Sequence, residues 1–493
     1  MASVLDVKRL SLGIGAVLLM AAAVWFGTGL HPWWPLMWLA PLPVLLFANR
    51  ASWWGAALVA GFGPMLGYLN LWPMFHGLLH APAPVLLQIY LSEGIAYALG
   101  VCLYRALLQR GAHWMALLAF PAVIVSFEFF LNVTSPHGTA GSLAYSQLGF
   151  LPFLQLAAIT GPWGMSFLIL AFSTALAIGL HLYPTLPKQA LRVAGAVAAV
   201  LILVLASGAW RLHVPQPGTH VKVGLVASDG ANRENDDVIE PGAPADKLFA
   251  QYADSVQALA AQGVQVVVLP EKIAVVVDET AQSTDDFFQK LVDRTGIGVV
   301  VGVLRVHHDA KSNTVQKYNE ARVYLPGRPP QGYDKEHMLP PFESNLTPGT
   351  ALTVLSRADA VWGVEICKDM DFTPLSEDYA KKGVGLMLVP GWDFFLDYIQ
   401  HGHIAMLRGV ESGFSIVRSA KGGSLYVSDD RGRLLAETKS DSAPFATLMV
   451  PVATGHDETF YETMGDWFAY LALLMLICAI GRLMWLRKYP MKT

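Results

Sequence analysis

The 493-residue sequence is short of charge and of cysteine. Only 15% of its residues are Asp, Glu, Lys or Arg, against roughly 25% in soluble domains. With 54% hydrophobic residues and a mean hydropathy of +0.42, the composition calls for a membrane protein. A net charge of −4 leaves no broad basic surface, which argues against nucleic acid as a partner. Three cysteines are too few for a disulfide framework. The histidines are scattered and no CxxC or HExxH pattern occurs, so nothing supports a metal site and no cofactor is called for. No internal repeat is apparent, and the absence of a half-to-half repeat weighs against a transporter.

What the chain has in abundance is long apolar runs. About 18 such residues in a row make a spanning helix. Seven runs precede residue 212, at about 10–28, 32–48, 53–72, 84–107, 114–131, 158–182 and 190–210, and an eighth lies at 466–486. The second is short and holds Pro35, Pro41 and Pro43. Lys8 and Arg9 ahead of the first run give it some character of a signal peptide, but the run continues past Ala21-Ala22-Ala23 and six more follow, so an uncleaved span is expected. Lys and Arg occupy alternate short loops: Lys8, Arg9, Arg50, Arg105, Arg110, Lys188 and Arg192, then Arg482, Arg487, Lys488 and Lys492 at the C-terminus. The intervening loops, 29–31, 73–83 and 132–157, contain none. This alternation predicts cytoplasmic termini and a large domain on the opposite side, the periplasm in a bacterium. Glu93 and Glu128 lie inside spans, where a carboxylate is either functional or hydrogen-bonded within the bundle.

Three parts are therefore expected: a transmembrane bundle over 1–212, a soluble domain over 219–455, and a last transmembrane helix over 464–488. In the soluble part, strands are read at Val221–Ala227, Val264–Leu269, Gly296–Val306, Asn319–Leu325, Thr353–Ile366 (two), Gly385–Val389, Phe414–Arg418, Gly423–Ser428, Leu434–Glu437 and Ala446–Val450. Helices are read at Asp246–Gln262, Thr284–Thr295 and Ile404–Ser412. Asp229–Pro244 and His307–Gln316 read as polar loops. Strands alternating with helices, then a run of strands, indicate a layered α/β sandwich.

Cys367 is the one cysteine outside the strongly apolar segments, and it ends a buried strand. A small buried hydrophobe is the plain reading of such a residue. Glu271 and Lys335 also fall just past apolar strands, where α/β layers gather reactive groups. Singly, Glu271 reads as a helix cap and Lys335 as a loop lysine. Together they form a working set. The carboxylate takes the thiol proton, the ammonium favours thiolate and oxyanion, and the thiolate forms a thioester.

That order, in Leu269-Pro270-Glu271, Tyr333-Asp334-Lys335-Glu336-His337 and Glu365-Ile366-Cys367, resembles the nitrilase or carbon–nitrogen hydrolase superfamily. With its flanking spans the chain further resembles the bacterial apolipoprotein N-acyltransferases. Ser135-Pro136-His137-Gly138 with Tyr145-Ser146-Gln147, the run Gly161-Pro162-Trp163-Gly164, and Thr463-Met464-Gly465-Asp466-Trp467 agree with that family. So do Trp392-Asp393, His403, Met406, Arg408, Glu411 and Arg418.

The resemblance implies a nitrilase-like αββα sandwich inserted into a polytopic helical membrane domain of about eight spans. It implies an inner-membrane acyltransferase acting as a monomer. Its acyl donor would be a phospholipid and its acceptor a diacylated apolipoprotein, through a thioester on Cys367. Glu271 would serve as base and acid and Lys335 as oxyanion stabiliser, with Glu343 and Asp369 in support. Lys368, Trp392, His403 and Arg408 become candidate substrate contacts. The chain also departs from the family. Lys368 and Asp369 follow the cysteine in place of an aromatic and Glu, the glycine before Glu343 is absent, and Lys421 replaces a usual Asn. An ammonium at 368 favours the thiolate if it points inward. The departures keep open a membrane-tethered amidase or an N-acyltransferase with another acceptor. A non-catalytic scaffold is the reading from a different class.

Overall fold

The computed structural model describes residues 2–230, 238–309, 313–357, 360–396 and 400–489. The chain forms two compact units: Met1–Thr134, Gly141–His213 and Met464–Thr493 make the first, and Ser135–Ala140 with Val214–Thr463 the second.

The first unit is helical. Six helices of 21 to 27 residues, Val7–Gly27, Ala83–Leu108, His113–Thr134, Ala157–Leu182, Pro187–His213 and Trp467–Lys488, are long and apolar enough to cross a membrane. They coincide with six of the eight expected spans. The other two are shorter pieces. Residues 32–48 form a 3-10 turn, Trp34–Trp38, and a seven-residue helix, Leu42–Ala48. Proline lacks the N–H that would continue a helix through this region. Residues 53–72 form a 15-residue helix, Trp53–Gly67, that tightens into a 3-10 turn at Tyr68–Leu71. Ala157–Leu182 is kinked where Gly161, at φ 59°, precedes Pro162. Glu128 accepts hydrogen bonds from the Leu143 amide at 2.9 Å and the Ser142 hydroxyl at 3.1 Å. It is thus a bundle carboxylate that holds the Leu143–Gln147 turn.

The second unit is built on two sheets. One contains β1 (His220–Ala227), β2 (Val266–Val268), β3 (Val275–Val277), β4 (Gly298–Asp309), β5 (Thr314–Tyr324), β6 (Gln331–Asp334) and β13 (Ala446–Ala453), in the order β13-β1-β2-β4-β5-β6 with β3 on β4. The other contains β7 (Thr353–Ser356), β8 (Val361–Val364), β9 (Leu386–Trp392), β10 (Ser415–Lys421), β11 (Ser424–Ser428) and β12 (Leu434–Lys439), in the order β12-β11-β10-β9-β8-β7. The central pairs β1–β2, β2–β4, β8–β9 and β9–β10 are parallel, as is β3–β4, and the remaining pairs are antiparallel.

Strand alternation sorts the core into layers. Val223, Leu225, Val268, Val364, Leu388, Val417 and Val427 fill the space between the sheets. Val226, Val267 and Val299 turn outward onto Phe249, Val256, Phe288 and Leu291 of the helices Ala243–Ala260 and Asp278–Thr295. Met387, Val389 and Ile416 turn outward onto Leu375, Tyr379 and Met406 of Thr373–Ala380 and Gln400–Ser412. This is an αββα sandwich. Burial on both faces explains why the central strands read as continuous apolar runs.

Two strands escape the sequence pattern. β3 is three residues long, and β6 is the polar sequence Gln331–Asp334. The expected loop His307–Gln316 is also corrected. His307–Asp309 and Thr314–Gln316 pair as the ends of β4 and β5; residues 310–312 lie outside the described residues, as do 231–237 of the Asp229–Pro244 loop. Polar residues suit this hairpin because its outer end is solvated.

Candidate active site

Three strand ends converge. β2 stops at Val268, and Leu269-Pro270 carry the chain to Glu271, whose amide donates to the Gly391 carbonyl of β9 at 3.1 Å. Gly302 of β4 makes room for this segment. A Cβ there would lie 2.4 Å from the Pro270 oxygen and 2.6 Å from the Glu271 Cα. Lys335 follows β6 and extends its pairing, with its amide on the Asn319 carbonyl at 2.8 Å. Cys367 opens the 3-10 turn Cys367–Asp371 beyond β8, at φ 46°. A non-glycine residue in that left-handed region is uncommon and marks a constrained position.

The side chains form a buried ionic cluster. Lys335 Nζ lies 3.0 Å from Glu271 Oε1 and 2.8 Å from Glu343 Oε2, and all three side chains are 2% exposed. Asn319 Nδ2 donates to Glu271 Oε1 at 2.5 Å and to Glu343 Oε1 at 2.8 Å. Lys272 Nζ adds a second ammonium, 2.5 Å from Glu343 Oε1 and 3.8 Å from Glu271 Oε1. Glu271 Oε2 is buried and has no hydrogen-bond partner among the described residues. One carboxylate oxygen is therefore anchored and the other is left to accept a proton.

Burial alone would push these carboxyls up. For Glu271 the Lys335 and Lys272 ammoniums outweigh it, against the opposing charge of Glu343, and hold the group below the usual carboxylate range. Glu343 is held well below that range by the same two lysines. Burial would likewise discharge Lys335, but Glu271 and Glu343, with smaller effects from Cys367 and Asp369, keep it charged well above the ordinary lysine value.

Arg418 Nη2 approaches the Cys367 Sγ at 3.7 Å, and the Trp392 carbonyl lies 3.7 Å from Sγ. Arg418 is itself held by Asp393, with Nη1–Oδ2 at 2.7 Å and Nη2–Oδ1 at 2.5 Å.

Asp369 is a fully buried tie. It accepts from Tyr333 Oη at 2.8 Å and from the His337, Glu336 and Ile366 amides at 2.8, 3.2 and 3.3 Å, which pins the cysteine turn to the segment after Lys335. Glu365, also fully buried, accepts from Ser376 Oγ at 3.1 Å. Burial, then the charge of Asp369, pushes it well above the carboxylate range.

Of the four candidate substrate contacts, the structure brings Trp392 to the cluster. Its ring carries Lys421 Nζ at 3.5 Å and Lys272 Nζ at 5.1 Å from the centroid. For Lys368 the condition of an inward-pointing ammonium is answered by its contacts. Its ammonium meets Asp371 Oδ2 at 3.2 Å and His137 Nδ1 at 3.3 Å, because the 3-10 turn sets residues 368 and 371 side by side. Segment 135–140 is fixed to the same turn, with the Thr139 amide and hydroxyl on the Asp371 carbonyl at 2.9 and 2.8 Å. Arg408 is completely buried, with Nη1 2.9 Å from Glu411 Oε2. His403 faces Glu437 at 3.9 Å and the Tyr426 ring.

Sequence reasoning gave no role to Lys272, Asn319, Asp393 or Arg418. The available signals were the adjacency of Lys272 to Glu271 and an asparagine opening an apolar strand. Among the described residues no His/Cys/Asp/Glu group could hold a metal ion.

Comparison with known proteins agrees with this geometry. The carbon–nitrogen hydrolase family model matches residues 240–443, so the sandwich with its acid–lysine–thiol cluster is a carbon–nitrogen hydrolase domain. The model for the apolipoprotein N-acyltransferase N-terminal domain matches residues 12–175. The apolipoprotein N-acyltransferase of Geobacter metallireducens is 26% identical over 88% of this chain and 88% of its own length. That of Shewanella oneidensis is 25% identical over 83% and 81%. The chain is a divergent member of the apolipoprotein N-acyltransferase family within the carbon–nitrogen hydrolases. Among solved structures, Nit3 of Saccharomyces cerevisiae, of the nitrilase superfamily, aligns at 22% identity and a TM-score of 0.39, over 50% of this chain and 93% of that one. An amidase from Nesterenkonia sp. aligns at 18% identity and a TM-score of 0.41, over 52% and 97%.

Proposed function

We propose that the protein is a membrane N-acyltransferase that moves a fatty acyl chain from a glycerophospholipid to the free amine of a lipid-modified N-terminal cysteine. The observation that carries the proposal is the Lys335 ammonium clamped between Glu271 and Glu343, with the Cys367 turn tied by Asp369 to the segment just after Lys335, in a chain with six membrane-length helices among the described residues.

Glu271 Oε2 takes the proton from Sγ. The thiolate attacks the acyl ester carbonyl, and Lys335 stabilises the oxyanion. Collapse expels the lysophospholipid alkoxide, which takes the proton back from Glu271, and leaves an acyl thioester. The acceptor amine then attacks that carbonyl. Glu271 removes the amine proton, and the thiolate leaves. Dividing one amide synthesis into two acyl transfers lets two substrates use one pocket in turn.

Phe342 and Phe395, both 47% exposed, adjoin Glu343 and the Asp393 segment in sequence, and Phe342 packs on Phe394. Exposed aromatic side chains beside the cluster fit a lipid substrate. The Lys/Arg alternation supports cytoplasmic termini and a periplasmic catalytic domain in the bacterial inner membrane, and the protein acts as a monomer in this reading.

The test is incubation of purified protein in detergent with labelled phospholipid and a diacylated lipopeptide. Wild type yields N-acylated lipopeptide and lysophospholipid. Cys367→Ala folds, since it removes one sulfur, and transfers no label. Transfer by Cys367→Ala at the wild-type rate overturns the assignment, and release of free fatty acid instead of acylated peptide makes the protein a hydrolase.

A further inference from the structure

Two polar groups touch the Cys367 sulfur at the same distance, and they favour opposite protonation states. The Trp392 carbonyl accepts from the neutral thiol at 3.7 Å. The Arg418 guanidinium donates to the sulfur at 3.7 Å, and its charge favours the thiolate. Arg418 and Asp393 are both fully buried, and the bidentate pair between them fixes the fork so that Nη2 serves Asp393 and the sulfur together. Arg418 Nε is buried with no hydrogen-bond partner among the described residues. The guanidinium is therefore held by its two terminal nitrogens, one of which reaches the nucleophile. Gly391, between Glu271 and Trp392, allows this approach, since a Cβ there would lie 3.0 Å from the guanidinium carbon.

We infer that Arg418 is a second catalytic cation, dedicated to the sulfur, while Lys335 serves the oxyanion. The division follows from the anchors. Lys335 is bound to Glu271 and Glu343. Arg418 is bound to Asp393 and touches the sulfur. In the first half-reaction the S–H bond breaks, the proton goes to Glu271 Oε2, and Arg418 neutralises the new thiolate. In the second, the C–S bond of the thioester breaks, its electron pair returns to sulfur, and the same guanidinium receives the leaving thiolate. Lys335, Arg418 and the phenol of Tyr426 are among the ionisable groups around the sulfur. The carboxylates of Glu271, Glu343 and Asp393 balance the two cations.

This inference rests on Cys367 being the nucleophile, and the test separates the two. Full-length protein in detergent is treated with iodoacetamide at pH 7 and pH 9, and adduct on Cys367 is resolved from Cys102 and Cys478 by peptide mass spectrometry. One opposite charge at this range shifts an acid by about one unit or more. Arg418→Gln therefore slows Cys367 alkylation at pH 7 by roughly tenfold or more, with most of the rate regained at pH 9. Arg418→Lys recovers part of the pH 7 rate. Because Arg418→Gln removes the bidentate cation on buried Asp393, the double variant Arg418→Met/Asp393→Leu removes both charges together, which well-packed cores tolerate. It shows the same rise in the pH 9 to pH 7 rate ratio. An unchanged ratio in the folded double variant overturns the role of Arg418 and leaves Cys367 as nucleophile. A wild-type Cys367 that reacts no faster at pH 7 than a free thiol overturns both.

Discussion

Replacing Lys272 by Met isolates the electrostatics of the acid cluster. Lys272 Nζ lies 3.8 Å from Glu271 Oε1 and 2.5 Å from Glu343 Oε1, and its side chain is 12% exposed. Unit charges at that longer separation interact with about 4 kcal/mol at an effective dielectric of roughly 20. Screening at the partly open side, and relaxation of Lys335 toward the vacated carboxylate, reduce this to roughly 2 kcal/mol, or about one to two pK units. The sign is fixed by the structure. Burial raises Glu271, and Lys335 and Lys272 together bring it below the usual range, so losing one cation raises it. A carboxyl with a depressed native pKa contributes stability that is present above its unfolded pKa and is lost as pH falls through the native one. Lys272→Met therefore brings that loss to higher pH.

The assay is the rate of acyl-thioester formation on Cys367 from labelled phospholipid, read by intact mass between about pH 4 and 8. The acid limb moves up by about one to two units. The plateau stays within about tenfold of wild type, because Lys335 and Glu271 remain and Glu271 is the stronger base. An acid limb that stays in place, or moves down, refutes the reasoning.

Two further outcomes follow from packing. Gly302→Ala puts a methyl against the Pro270 oxygen and the Glu271 Cα; it lowers thioester formation by about 10- to 100-fold through displacement of the base, and the forced backbone shift costs about 1–3 kcal/mol of stability, read by scanning calorimetry. Arg408→Ala removes the guanidinium paired with Glu411 in a fully buried site, so it costs about 3–5 kcal/mol of stability. It leaves the KM for lipid and lipopeptide unchanged, whereas a substrate contact would raise one of them.

Some of this was legible in the linear sequence. Hydropathy over about 20 residues is a local property, so the six long membrane helices lie where the apolar runs do. The sandwich core was readable for a similar reason. Val221–Ala227, Val264–Leu269 and Phe414–Arg418 are apolar through their length because strands buried on two faces must be. The acid, lysine and thiol could be ordered along the chain because each follows such a run.

Tertiary structure decided what those residues meet. Glu271 and Lys335 are 64 positions apart, and Arg418 lies 51 beyond Cys367. Only the parallel order of β8, β9 and β10 sets Arg418 and Trp392 against the sulfur. The local signals of Lys272 and Asn319 do not discriminate, because an ammonium beside a strand end and an amide opening a strand are equally suited to solvent. Lys368 and Arg408 illustrate the converse. The family resemblance made them candidate substrate contacts, and each has a carboxylate partner three residues along its own turn or helix and is buried with it. Local periodicity fixes which segments are helix, strand or membrane span. Which charges are neutralised by neighbours, and which face a reacting atom, is settled by contacts between strands far apart in the chain.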